Sequence, residues 1–315
     1  MLEMREATPE ERERYYKNEW SSKDLPDYIL HTLSLREFGF DHKGTGPSDR
    51  YNQFMTPDEL SDYLRNKYPY AVYSSVALYE KPSERKKWLK SELAFDIDAK
   101  DLPFRRCECS EGEVCEVCLE DAKRVTAEFG ETLKNNLDLE NVSYIYSGRG
   151  FHIRVSDDSV MEMGQTGRSQ VVEYITGNVV PTDLTLSLGY SKVFRKRTLR
   201  TFENLRERDF IDEGLQRNFA EKIMKEKNRV MDLIKKGRLE KIQDFEGIGT
   251  TYFKKLLEFL TRLNTEHTDG KVTIDKKRIL RVPSSLHSTV SRTCTEIQNI
   301  DKFSPDEAAP NFLTE

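Results

Sequence analysis

Six residues, Leu93-Ala94-Phe95-Asp96-Ile97-Asp98, constrain this chain more than any other segment. Apolar side chains at 93, 95 and 97 alternate with carboxylates at 96 and 98, the period of two that a β-strand presents. Such a strand buries one face in a core and projects both aspartates together from the other. Carboxylates held side by side repel, and a divalent cation between them relieves that cost. Mg2+ or Mn2+, hard ions that take oxygen ligands, suit the pair. Taken alone, Asp-x-Asp also describes the solvent face of an amphipathic edge strand. The surrounding chain has to decide.

At 315 residues the chain has length for about two domains and a sizeable core. Its apolar runs fall short of the ~18 residues a membrane span needs. The charged start, MLEMREATPEERERYY, has no apolar leader segment. A soluble, intracellular protein without membrane contact is expected. Fifty basic against 55 acidic side chains leave a net charge of −5. The molecule as a whole is therefore not the cationic body of a tight, autonomous nucleic-acid binder, and any polyanion site has to be local.

Four of the five cysteines, Cys107, Cys109, Cys115 and Cys118, fall close together, while Cys294 stands alone. In a reducing compartment this spacing points to a closed tetrahedral site for structural Zn2+ rather than to disulfides. A catalytic zinc keeps one position open and usually takes histidine or carboxylate, and no histidine lies in this segment.

Residues 8–65 read as mainly helical, with a polar loop at 42–50. YAVYSSVALY (70–79) reads as a strand, and KPSERKKWLK as a charged connector into the aspartate strand. DAKRVTAEFGETLKNNL has helical spacing, and NVSYIYSGRGFHIRV reads as a hairpin. Its turn presents Ser147, Arg149 and backbone N–H groups, all suited to anionic oxygens, with His152 and Arg154 on one strand face beyond it. Long charged helical stretches fill 161–265, and GKVTIDKKRILRVPSSLHS returns to strand-like composition. The expected fold is α+β: a core of mixed or antiparallel sheet flanked by helices (1–160 plus 266–315), carrying a zinc knuckle (105–120), with a smaller helical subdomain (161–265).

In order and spacing, ELAFDID, the cysteine cluster, YSGRGFH and RVPSSLH, with LREFGF (35–40) and RYNQF (50–54) upstream, resemble the catalytic small subunit of the archaeal and eukaryotic type of DNA primase. The resemblance spans about residues 10–290. It implies a primase core making short RNA primers, DNA primers secondarily, from NTPs on single-stranded DNA by two-metal nucleotidyl transfer. It also implies a third metal-binding aspartate beside Asp96 and Asp98; the family's spacing from Arg281 favours Asp269, with Asp275 as runner-up. Ser147, Arg149, His152, Arg281 and His287 would hold the nucleotide phosphates, and Arg36 and Arg50 would add to the pocket. A zinc knuckle belongs to the family at this place, often with its first two ligands adjacent; here Glu108 separates them. Implied partners are a large primase subunit, the template, and replicative polymerase and helicase machinery. The location would be the cytoplasm, or the nucleus in a eukaryote. The basic run Lys192, Arg195, Lys196, Arg197 and Arg200 could track template backbone or be a solvated helix face. Competing readings are a gap-filling repair polymerase of the same superfamily, a noncatalytic zinc-containing module binding nucleic acid or a partner, and a metal-dependent nuclease.

Overall fold

The computed structural model describes residues 4–110, 112–265 and 267–314. Its strands are β1 (Phe38–Asp41), β2 (Asp49–Asn52), β3 (Ala71–Ser75), β4 (Ala77–Lys81), β5 (Lys86–Ser91), β6 (Leu93–Asp98), β7 (Val142–Tyr146), β8 (Gly150–Val155), β9 (Ile279–Arg281), β10 (Leu286–His287), β11 (Arg292–Thr293) and β12 (Thr295–Ile297). They form two four-stranded antiparallel sheets, β2-β1-β3-β9 and β12-β7-β8-β6, plus the ladders β4-β5 and β10-β11. With the surrounding helices this is the α+β class expected from the sequence.

Alternation in β6 does what its pattern dictates. Leu93, Phe95 and Ile97 are fully buried, while Asp96 and Asp98 keep partial exposure. The apolar face packs on helix Glu116–Leu137, where Phe129 meets Phe95 edge-on with centroids 6.4 Å apart. Each such buried ring contributes about 1.5–3 kcal/mol, which fixes the strand face and with it the direction of both aspartates. A second cluster joins Tyr16, Trp20 and Leu60 to Phe38, Phe40 and Val72 of the other sheet. A small seam of Val76, Ala94, Val272 and Leu280 locks the two sheets against each other. Helices between Gly189 and Thr265 gather their own apolar cluster around Phe202, Ile223, Leu256 and Leu260, while helix Gln165–Thr176 packs Val172 and Ile175 against the aspartate sheet's core. None of the described helices is long and apolar enough to cross a membrane.

Several segments depart from the sequence reading: YAVYSSVALY, read as one strand, is two, β3 and β4, in different sheets, and β2 lies in the stretch read as helix and loop. Within 8–65, Phe38-Gly39-Phe40 is a strand, because its short period of two is buried on both faces between β2 and β3. The charged connector contains β5, which folds back on β4 as a hairpin: cross-strand pairing supplies what composition hides. Gly270–Ile274 is a short helix rather than a strand, capped by the Asp269 side chain. The expected division of the chain at residue 266 falls outside the described residues.

Candidate active site

The β6 aspartates point into a cleft between the sheets. In the β6–β8 register, Asp96 lies opposite His152 and Asp98 opposite Gly150. His152 Nε2 stands 3.4 Å from Asp96 Oδ1. The Asp96 side chain is about a third exposed to the cleft (32%). Burial nevertheless pushes its pKa up to about 7, and the charges of Asp98 and Asp269 add to the rise. Burial also raises Asp98, which is opposed by its hydrogen bond from the Lys100 amide and by Arg149. Arg149 and Lys100 each stand 3.8 Å from its carboxylate. These cations offset only part of the cost, since both carboxylates stay raised, a condition that a divalent cation with oxygen ligands relieves.

Two glycines bring the β7–β8 turn close to this strand. Any Cβ at Gly150 would meet the Ile97 carbonyl oxygen at 2.3 Å, so only glycine lets β8 lie across Asp98. At Gly148, φ is +103° and a Cβ would fall 2.7 Å from the His287 ring. Tyr146 Oη braces the turn by donating to the Gly148 carbonyl at 2.6 Å. Ser147 and Arg149 are thereby presented beside the carboxylates.

From the first sheet, β9 lies beside β3 with Arg281 opposite Tyr73, its guanidinium 5.2 Å from that ring. Asp96, Asp98, Ser147, Arg149, His152, Arg281 and His287 together line a cavity of about 170 Å3, with Tyr73, Ile279 and Leu280. Burial holds both histidines well below the usual imidazole range, His152 at about 3, aided by the charges of Arg154 and Arg281 at His152 and of Arg281 and Arg149 at His287. They face the cavity as neutral rings. Among the described residues, Arg149 Nε, His152 Nδ1, Arg281 Nη1 and His287 Nδ1 are buried without hydrogen-bond partners. A cluster of unpaired donors around carboxylates costs free energy unless an acceptor-rich ligand enters.

Asp269 stands apart from this lining. Its amide and the Thr268 hydroxyl both donate to the Asp96 carbonyl, at 3.2 and 2.7 Å, along the free edge of β6. Its half-exposed carboxylate lies 3.8 Å from Arg278. Asp275 caps the far end of the same short helix and lies 3.8 Å from Arg278 on the other side. Only Asp269 of these two acts on Asp96 electrostatically.

Arg36 and Arg50 are not in the cavity. Arg36 is buried, and each guanidinium nitrogen is engaged: Nε with Thr32, Nη1 with the Ser75 carbonyl, and Nη2 with the Tyr28 carbonyl and Glu92. It braces the fold. Arg50 pairs with the buried Glu37 at 2.7 Å. Arg154 likewise turns inward, to Glu92 at 2.9 Å, and does not extend the cationic wall. In the basic run, Arg197 and Arg200 are buried and share Glu128, so those two are not open to a template, while Lys192 and Lys196 stay exposed. Sequence reasoning missed Tyr73, Ile279 and Leu280, which reach the cleft through the β3–β9 pairing, and Lys100, which lies beside Asp98 two residues along the chain.

The four cysteine sulfurs all lie within 4.8 Å of one another. Cys118 Sγ is 3.0 Å from Cys107, 3.5 Å from Cys115 and 3.7 Å from Cys109. Sulfurs bound tetrahedrally to zinc at about 2.3 Å stand about 3.8 Å apart, so this set fits such an ion, and Glu108 does not keep Cys107 out. Arg105 ties the loop by donating to the carbonyls of Glu113 and Cys109. Cys109, Cys115 and Arg149 line a larger neighbouring cavity of about 880 Å3, so the knuckle adjoins the carboxylate cleft.

Paired carboxylates facing cationic and neutral polar side chains with unpartnered nitrogens are an arrangement that suits an acceptor-rich anion together with a divalent cation. The sequence profile of the DNA primase small subunit family matches residues 95–298. The chain is 42% identical to the DNA primase small subunit PriS of Thermococcus kodakarensis, over 99% of this chain and 94% of that protein. It is also 42% identical to PriS of Methanothermobacter thermautotrophicus (98% and 97%) and 41% identical to that of Methanobrevibacter smithii (98% of each). The chain belongs to the DNA primase small subunit family.

Proposed function

We propose that this protein is the catalytic subunit of a heterodimeric primase, synthesising short RNA primers from NTPs on single-stranded DNA. The carrying observation is the set of buried, unpaired donors on Arg149, His152, Arg281 and His287 opposite the Asp96–Asp98 pair. A nucleoside triphosphate supplies the acceptors those donors lack. Asp96 and Asp98, with Asp269 as third carboxylate, would hold Mg2+ or Mn2+, which supplies charge neutralisation at the phosphates and a more acidic 3′-hydroxyl. Arg281 and Arg149 bind the β- and γ-phosphates, while the neutral imidazoles donate hydrogen bonds without paying for a buried charge. Ser147 and the turn amides orient the chain of phosphates. The 3′-oxygen then forms its bond to the α-phosphorus as the bond to the leaving pyrophosphate breaks. Cys107, Cys109, Cys115 and Cys118 would hold Zn2+ as a closed structural site beside this cleft.

The catalytic core comprises 1–160 plus 266–315 in this reading, and 161–265 is a helical subdomain. Its archaeal relatives, named as small subunits, support a large-subunit partner and a cytoplasmic location; in this reading, replicative polymerase and helicase machinery works around it. Primer synthesis on unprimed single-stranded DNA with labelled NTPs tests the function. De novo dinucleotides and primers are expected. Extension confined to pre-primed templates would show a gap-filling polymerase, and template loss a nuclease.

A further inference from the structure

A cationic and aromatic strip lies outside the cleft and ends at it. Residues 81–90 hold five basic side chains against one acid, and 275–278 three against one, in a chain of net charge −5. Folding brings the two segments together: Arg85 donates to the Lys277 carbonyl, and Lys276 Nζ sits 3.9 Å from the Trp88 ring centroid. Trp88 is held in place by its indole N–H, which donates to Ser91 Oγ at 2.7 Å; that hydroxyl donates on to the Lys276 carbonyl. At the other end, Tyr51 is half exposed with the guanidinium carbons of Arg85 and Arg50 at 5.3 and 5.8 Å from its ring. Both arginines are fixed by the fully buried Glu37.

Backbone strain gathers here as well. Tyr51, Arg85 and Lys87 have φ of +69°, +51° and +56°, a region that side-chain-bearing residues seldom occupy. Strain of this kind persists where the fold imposes it, and it concentrates where ligands are held. Of these three, Tyr51 is half exposed and Lys87 is exposed. Lys86 and Lys87 are paired with Glu84 and Glu80, but such exposed pairs are weak and phosphates displace them readily. The strip continues directly into the cleft, because residues 276–278 lead into β9, whose Ile279, Leu280 and Arg281 line it.

We propose that the strip from Tyr51 across Arg85 and Lys277 to Trp88 docks single-stranded nucleic acid and leads the template strand to the cleft. Bases stack on the two rings while the basic side chains follow the backbone, the recognition mode of sequence-tolerant single-strand binders. This rests on the primase reading. It assigns the template to a surface that the net charge conceals.

The test is fluorescence anisotropy of the full chain with labelled oligo(dT), without nucleotide or divalent cation, across a salt series. K86Q/K87Q/K277Q is expected to weaken binding about tenfold and to flatten the slope of log K against log salt by about 2. W88A and Y51S should each cost about fivefold or more, and W88F should restore most of the loss. K225Q/K235Q, on distant helices, serves as the control for charge alone. Strip variants that fold by circular dichroism and bind like wild type overturn the proposal, as does equal weakening in the control. Wild-type chain that makes no primers overturns the primase reading instead, and anisotropy then still decides the strip.

Discussion

Asp96 carries the most unfavourable electrostatics in the cleft: burial, Asp98 and Asp269 all act against its charge. Asp96→Asn keeps the shape and removes that charge. Primer synthesis is expected to fall by about 10²-fold or more, measured as incorporated label at saturating Mn2+, while Tm holds or rises. A variant with wild-type activity would remove Asp96 from the mechanism. Gly148 offers the opposite kind of test. An alanine there needs φ near +103° and collides with His287, costing about 1–3 kcal/mol. Gly148→Ala is therefore expected to lower Tm by a few degrees and to raise the KM for NTP, since the ring it displaces lines the cleft. Unchanged KM would show that the turn tolerates the shift.

Arg168, on helix Gln165–Thr176, does at the level of elements what Glu92 does for single side chains. Its fully buried guanidinium donates to the carbonyls of Ser91 and Glu92 just before β6, of Thr273 in the short helix after Asp269, and of Met163. It thus staples the segment bearing Asp96 and Asp98 to the segment bearing Asp269. Arg168→Met leaves four carbonyls short of a donor and should cost about 2–4 kcal/mol. The half-saturating Mn2+ concentration should also rise, a readout that general loosening elsewhere would not move. Arg168→Lys should restore stability only in part, because one ammonium cannot reach a forked set of acceptors.

Legibility follows the same line between local and distant. The alternation in β6, the β7–β8 hairpin and the helix after the cysteines all follow from periodicity, because one face of each meets a core. β5 did not, since its lysines advertise a connector and only pairing with β4 makes a strand. Seven lining residues of the cleft were legible through their order along the chain. Arg36, Arg154, Arg197 and Arg200 misled for one physical reason: a charged side chain in sequence gives no sign that a buried glutamate awaits it. Tyr73 and Leu280 reach the cleft through the β3–β9 register, which no local pattern encodes.

Across the whole molecule, the helices of 165–265 are fastened to the rest through charge as well as apolar contact. Arg197 and Arg200, from helix Gly189–Asn204, converge on Glu128 of helix Glu116–Leu137 at 2.9 and 2.6 Å. Glu128→Ala strands both arginines in the interior and is expected to cost about 3–5 kcal/mol in a thermal melt, with template affinity little changed. A large loss of template affinity without loss of Tm would return these arginines to a nucleic-acid role. Zinc removal is expected to act locally. Chelation should lower Tm and speed hydrogen exchange across 105–120, while a Cys115→Ser chain should retain less than one zinc per molecule.

One feature of β6 reaches past catalysis. It is the outer strand of its sheet, and its far edge is shielded by Thr268 and Asp269, both of which donate to the Asp96 carbonyl. The segment that carries the third aspartate of the proposed site thus also stands guard over an open row of backbone groups. Should that short segment lift away on heating, the exposed edge of β6 becomes a template for intermolecular pairing, and the first sign of damage to the active site would be turbidity.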